Sequence, residues 1–377
     1  MQETKRARAE NDYDCVILVL QGGGALGAYQ AGVYEGLAEC GAAPDWVAGV
    51  SIGAINAALI AGNPPERRVA RLREFWDRVS ARLPFVPPAS MDLMRPLFDQ
   101  VSSTAAFVFG VPGFFSPRMV PPFFALDGSI GALSFYDTAP LKATLEELVD
   151  FALINRAGGV RLSLGAVDLR SGNSVYFDSK TTKIRAEHVL ASGALPPGFP
   201  PVQIDGELYW DGGIVSNSPL WYVLDADSRM NALIVQIDVF SASGDAPKNL
   251  AEVQERAKDI QYASKTRFNT NRAKEIEALR LALGRVLEKL PAALRDDPDV
   301  KTLAEVSKPK ATSLVHFINR HHPRATSFKD AEFSRATITD LWQGGLGDVR
   351  RAVAESRWNR ATDVSEGMRV FDMTPRT

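Results

Sequence analysis

The stretch between Cys15 and Ala61 constrains the fold more than any other part of the chain. It opens on Cys15-Val16-Ile17-Leu18-Val19-Leu20, a run without a polar residue, as a strand buried on both faces requires. Residues 21–27 are rich in glycine, and residues 28–40 then read as a helix. Residues 46–50 read as a second short strand ending at Ser51. Residues 52–61 form a small-residue helix pattern closed by Gly62-Asn63-Pro64-Pro65. A strand–loop–helix–strand–turn–helix order calls for a parallel sheet with helices packed on it.

With 377 residues there is room for one large α/β domain and an appendage, and 45% hydrophobic residues are enough for a sizeable core. Lys and Arg (43) nearly cancel Asp and Glu (45), so the chain lacks the basic footprint of a nucleic-acid binder. Cys15 and Cys40 are too few for a disulfide framework and read as small buried hydrophobes. The charged residues 1–14 contain no apolar core of a secretory signal. No apolar stretch reaches the roughly 20 residues needed to span a bilayer. The default expectation is a soluble cytoplasmic protein, with peripheral membrane contact left open.

Further along, residues 66–83 read as an amphipathic helix bearing Arg67, Arg68, Arg71, Arg73, Arg78 and Arg82. Its arginines are expected on a solvated face, with contact to an anionic surface as the alternative. Residues 102–135 carry Phe107, Phe109, Phe114, Phe115, Phe123, Phe124 and Phe135, broken repeatedly by Gly and Pro. These breaks argue against a long helix, and so many aromatics need either the core or an acyl chain as partner. Residues 161–167 and 174–177 read as a strand pair. Residues 202–204 and 207–210 flank the turn Asp205-Gly206 as a hairpin, and residues 233–239 form another apolar strand. Beyond 244, residues 250–262 and 274–290 read as two charged helices, with Pro291, Pro298 and Pro309 as breaks.

Three short motifs carry chemistry. Gly49-Val50-Ser51-Ile52-Gly53 lies between a strand and a helix, where two glycines permit the sharp turn that lifts a serine hydroxyl off a sheet edge. Gly22-Gly23-Gly24-Ala25-Leu26-Gly27 follows the first strand and can expose successive backbone N–H groups to an oxyanion. Gly22, Gly24 and Gly27 also fit a dinucleotide fingerprint. That reading wants an acidic residue near the end of the second strand, where Val50-Ser51 stands instead. Asp211-Gly212-Gly213 puts a carboxylate at the end of a strand, where open α/β sheets keep their sites.

Taken together, the three motifs resemble those of the patatin-like phospholipase family, in the family's order. A fourth block of that family is matched by Ala191-Ser192, Pro196 and Phe199-Pro200-Pro201, and the aspartate motif continues through Asn217 to Pro219. The resemblance covers residues 14–239. It implies a three-layer patatin-like α/β fold with a mainly parallel sheet over residues 14–243, followed by a helical C-terminal extension over residues 244–377. It further implies a catalytic dyad in which Ser51 attacks an acyl carbonyl and Asp211 takes its proton. Gly22, Gly23, Gly24 and Ala25 would form the oxyanion hole, with Gly49, Gly53, Gly212 and Gly213 supporting the turns. The implied substrate is a lipid or another apolar acyl ester, with no metal and no cofactor. Leu26 stands where family members often carry Arg or Lys, which weakens the case for a phospholipid but not for an ester.

Two other readings stay open on the sequence. Ser51, Asp211 and one of His316, His321 or His322 have the chain order of a Ser-Asp-His hydrolase, although that fold places several strands before its serine. A lipid-binding or scaffolding protein on a degenerate hydrolase fold is the other.

Overall fold

The computed structural model describes residues 13–80, 95–226, 231–308, 312–320, 329–355 and 367–374. The N-terminal half runs β1 (Cys15–Leu20), α1 (Gly27–Glu39), β2 (Trp46–Val50), α2 (Ile52–Ala61), α3 (Pro65–Arg78), α4 (Arg95–Phe109), β3 (Ser116–Pro117), β4 (Tyr136–Asp137), α5 (Ala139–Leu148) and α6 (Phe151–Ile154). It continues through β5 (Arg161–Asp168), β6 (Ser174–Asp178), α7 (Ala186–Ser192), β7 (Val202–Ile204), β8 (Glu207–Asp211), α8 (Leu220–Ala226) and β9 (Ala232–Asp238). The remainder is α9 (Leu250–Leu287), α10 (Pro298–Val306), β10 (Thr312–Ile318), α11 (Arg335–Ala354) and β11 (Met368–Asp372).

The central sheet has the order β11-β10-β9-β1-β2-β5-β8-β7, with β6 paired to β5. The pairs from β11 to β5 are parallel, and β6, β7 and β8 form an antiparallel margin. Leu20 stands level with both Gly49 and Ile237, and Val50 with Gly165. The loops leaving β1, β2 and β9 therefore open at one edge of the sheet. Ile17, Leu18, Val19 and Leu20 are all buried, as a strand covered on both sides demands.

The segment expected as a helical extension is only partly so. α9, α10 and α11 are helical, but β10 and β11 extend the central sheet, pairing β9 from Thr312↔Ala232 to Ile318↔Asp238. The sheet thus continues across the expected division at residue 243, because β9, paired with β1 on one edge, has a second edge whose backbone groups β10 pairs. α11 packs directly on α1. A Cβ on Gly32 would collide with the Trp342 carbonyl, and one on Gly345 with the Tyr29 carbonyl, so two helix backbones meet where only glycine fits.

Other differences are local. The two helices expected over 250–290 are one element, since no Gly or Pro interrupts residues 263–273. α4 occupies the start of the aromatic segment and stops just before Gly110. The arginine-rich helix ends at Arg78, and Arg82 lies outside the described residues. Its cations are largely paired: Arg71 with Glu74, Arg73 with Glu35 and Arg78 with Glu147. Arg68 is buried and donates to the Asn63 carbonyl.

Candidate active site

Ser51 joins β2 to α2 with φ 57° and ψ −125°, a conformation rarely adopted by a residue with a side chain. The turn is possible because its flanks are bare. A Cβ on Gly49 would strike the Gly53 backbone, and one on Gly53 would strike the Leu20 carbonyl. Ser192 steadies the turn from outside. It accepts the Ser51 N–H on both its carbonyl and its hydroxyl oxygen (3.1 Å each), while its hydroxyl donates to the Gly165 carbonyl at 2.6 Å. Ser51 also sits at the N-terminal end of α2, where the helix dipole favours developing negative charge.

Asp211 ends β8 and is buried. Its carboxylate accepts the Gly213 N–H at 2.7 Å, and the Ser51 side chain lies near enough to favour its charged form. Its own N–H donates to the Ala194 carbonyl at 3.0 Å. Removal from water pushes the pKa up to about 7, and the Ser51 side chain and the Gly213 N–H only partly oppose that rise. A Cβ on Gly212 would lie 2.6 Å from the Gly165 carbonyl, so this glycine lets β8 approach β5 closely.

The glycine loop after β1 is fixed from two directions. Asn217 holds Gly22 at both ends, accepting its N–H at 3.1 Å and donating its side-chain amide to the Gly22 carbonyl at 2.9 Å. The Gly22 N–H, expected to face an oxyanion, is therefore engaged, and Gly23, Gly24 and Ala25 are the loop residues left for that part. A Cβ at Gly22 would lie 3.0 Å from the Ser51 Cβ, which puts the loop beside the serine. Gly24 adopts φ 55° and lies against the Asp330 carbonyl.

Gln21 supplies the second anchor. Its side-chain oxygen accepts from Val239 N (2.8 Å) and Phe240 N (3.1 Å), and its amide reaches the Tyr262 carbonyl on α9 (3.3 Å). Gln30 donates to the Gln21 carbonyl at 2.7 Å, and Asn56 in turn donates to Gln30. This buried polar chain ties β1, α1, α2, β9 and α9 together beneath the loop. Nothing in the local pattern around Gln21 announces it, because its partners lie far along the chain.

The histidines are engaged elsewhere. His188 accepts from the Arg185 N–H at the start of α7 and meets the Phe177 ring edge-on. His316 lies on β10 facing Asp372, Lys274 and Arg320, and burial lowers its pKa to about 4. Neither has a hydrogen bond to Ser51 or Asp211, and His321 and His322 lie outside the described residues. Among the described residues no group of three or more His, Cys, Asp and Glu could hold a metal ion.

Part of the aromatic segment enters the core and part stays at the surface. Phe114 and Phe115 are buried and pack edge-on or tilted against Phe199, which lies a few residues beyond Ser192; Phe114 also meets Phe75 and Phe333. Phe107, Phe109, Phe123, Phe124 and Phe135 are exposed.

Fold and site together define an α/β protein with a strained serine at a strand–helix junction, a buried carboxylate beside it and a glycine loop alongside. The chain belongs to the patatin-like phospholipase family, whose model matches residues 18–224; a second model, described as patatin phospholipase, matches residues 260–365. Patatin-like phospholipase domain-containing protein 7 of Rattus norvegicus and its counterpart in Mus musculus are each 27% identical over 233 residues, or 60% of this chain. The chain spans 14% of the length of these relatives. The crystal structure of VipD from Legionella pneumophila covers 89% of this chain and 67% of its own at 16% identity, with a TM-score of 0.34, too low to carry an argument.

Proposed function

We propose that the chain hydrolyses carboxylic esters of lipids through a Ser51–Asp211 dyad and a covalent acyl-enzyme. The observation that carries the reading is the strained Ser51 turn set beside a buried Asp211 carboxylate whose pKa burial raises to about 7, with the glycine loop against the serine. A carboxylate is normally too weak a base to take a serine proton. Desolvation brings this one close to neutral pH, where a general base works best.

In the first half-reaction the Ser51 oxygen attacks the ester carbonyl carbon as its proton passes to Asp211. The tetrahedral oxyanion is held by backbone N–H groups of Gly23, Gly24 and Ala25 and by the positive end of α2. Collapse expels the alcohol, which takes the proton from Asp211. Water then attacks the acyl-enzyme with Asp211 again as base, and Ser51 leaves with its proton restored. No step calls on a cofactor. Residues 14–243 carry the chemistry, and residues 244–377 complete the sheet and brace α1. The chain works as a soluble protein that meets lipid peripherally.

A fluorophosphonate probe and a series of p-nitrophenyl esters of rising chain length test the proposal. Labelling is expected at Ser51, with turnover lost in Ser51→Ala and Asp211→Asn. A folded protein that neither labels nor turns over any ester would favour a non-catalytic lipid-binding role. Loss of turnover on changing a histidine, with Asp211→Asn still active, would favour a Ser-Asp-His enzyme.

A further inference from the structure

We infer that residues 119–133 form an apolar projection that inserts into the acyl phase of a lipid surface and seats the active site on it. The inference rests on the hydrolase reading for its choice of partner.

The projection is a built feature. Its base is closed by the β3–β4 pair, by the Arg118 N–H donating to the Phe135 carbonyl at 3.1 Å, and by the Arg118 guanidinium bonding the Ser134 carbonyl and hydroxyl. Within it, Ala125 N–H donates to Pro122, Ser129 N–H to Leu126 and Ala132 N–H to Ser129. Successive turns thus pair several of its backbone groups internally, which lowers the cost of bringing the segment against an apolar phase.

Its side chains point the wrong way for a soluble surface. Met119 is 99% exposed, Phe123 83%, Phe124 81% and Leu126 85%, and Val120, Ile130 and Leu133 are exposed beside them. Asp127 is the one charged residue within 119–133. Phe123 meets Phe135 edge-on, so the exposed side chains gather into one apolar patch. A patch with almost no charge matches the uncharged interior of a lipid layer, and aromatic and aliphatic tips are the groups that anchor such contacts.

Position ties the projection to the site. Phe135 and Tyr136 donate their N–H groups to the Pro197 and Gly198 carbonyls at 3.1 and 3.0 Å. The same loop holds Asp211 through Ala194 and follows Ser192, the residue that holds Ser51. Leu195, Ile214 and Val215 are also exposed, so apolar surface flanks Asp211 on both sides in the chain. A lipid layer gripping 119–133 would meet the rim of the site that must draw an acyl chain from it.

The test uses the full chain and vesicles of zwitterionic phosphatidylcholine, with co-sedimentation as the readout. Wild type is expected to bind at low and at high salt, since apolar insertion is not screened. The triple variant Phe123→Ser, Phe124→Ser, Leu126→Ser should lose partitioning by about a hundredfold, because three large apolar side chains no longer leave water. Its turnover of a short soluble p-nitrophenyl ester should stay at the wild-type level. Phe124→Trp should blue-shift its emission when vesicles are added. The inference is overturned if wild type does not bind, if salt abolishes binding, or if the triple variant binds like wild type. It is equally overturned if light scattering shows the triple change dissolving a dimer while vesicle binding persists. Vesicle binding without any ester turnover would sink the hydrolase reading and leave the docking surface standing.

Discussion

Asn217 grips Gly22 from both sides, accepting its N–H at 3.1 Å through the backbone carbonyl and returning a side-chain N–H to the Gly22 carbonyl at 2.9 Å. The two residues are 195 positions apart, yet this pair sets the distance between the glycine loop and the aspartate motif. It also places Gly22 so near Ser51 that a methyl group would touch the serine Cβ.

Asn217→Ala should therefore loosen the loop rather than unfold the protein. One buried hydrogen bond is worth about 1–2 kcal/mol, so the melting temperature should fall only modestly. Turnover of a soluble ester should drop by about tenfold or more through kcat, with KM little changed, because in the proposed reaction the loop that Asn217 holds binds the oxyanion. Steady-state kinetics beside thermal unfolding separate the two effects.

The raised pKa of Asp211 sets the pH dependence. In the proposed reaction acylation needs the carboxylate, so the rate should climb with pH and level off above about 7. Stability runs the other way. A carboxyl raised from 3.8 to about 7 on folding favours the neutral form, so its contribution is fully present below 3.8 and is lost as pH rises through about 7. Asp238, buried and likewise raised to about 7, acts in the same direction. Asp211→Asn should be inactive and should lose less stability than wild type between mildly acidic and mildly alkaline buffer. The difference should be on the order of 2–3 kcal/mol by denaturant titration.

Gly24 and Gly41 share a left-handed backbone, with φ 55° and 73°. At Gly41 a methyl group would meet nothing within 4 Å, whereas at Gly24 it would run into the Asp330 carbonyl. Gly41→Ala should cost about 1 kcal/mol of stability and no activity. Gly24→Ala should distort the loop and abolish turnover. Equal losses of activity in the two variants would mean that backbone conformation, not the close approach of Asp330, constrains the loop.

α11 offers a similar contrast. Gly345 faces the Tyr29 carbonyl with no room for a methyl group, while the nearest neighbour of a Cβ on Gly347 is the Arg351 guanidinium at 3.4 Å. Gly345→Ala should destabilise the protein by about 2 kcal/mol or more by forcing α11 off α1. Gly347→Ala should stabilise it by about 0.5–1 kcal/mol through helix propensity alone. Chemical denaturation of both variants checks the pair.

Local sequence was enough to specify β1 to α2, the β7–β8 hairpin and the turn that carries Ser51. The information in each lies within a few residues: an unbroken apolar run, Asp205-Gly206 with φ 51° and 95°, and glycines on either side of one serine. The aspartate motif was legible only beside the serine and glycine-loop motifs, since a strand ending in Asp-Gly-Gly is by itself an ordinary turn. β10 and β11 were not legible in that way. Thr312–Ile318 and Met368–Asp372 become strands because β9 and then β10 offer open edges to pair with.

What tertiary structure alone decided is which distant atoms meet. Burial in the folded protein lifts the Asp211 pKa from that of an ordinary acid to about 7, and no residue beside it in sequence carries that shift. Asn217, Asp330 and the partners of Gln21 meet the glycine loop from positions far along the chain. Backbone preferences act over a few bonds, and a chain can write them locally. Desolvation and close approach depend on what lies across space, so they exist only once the whole sheet has assembled.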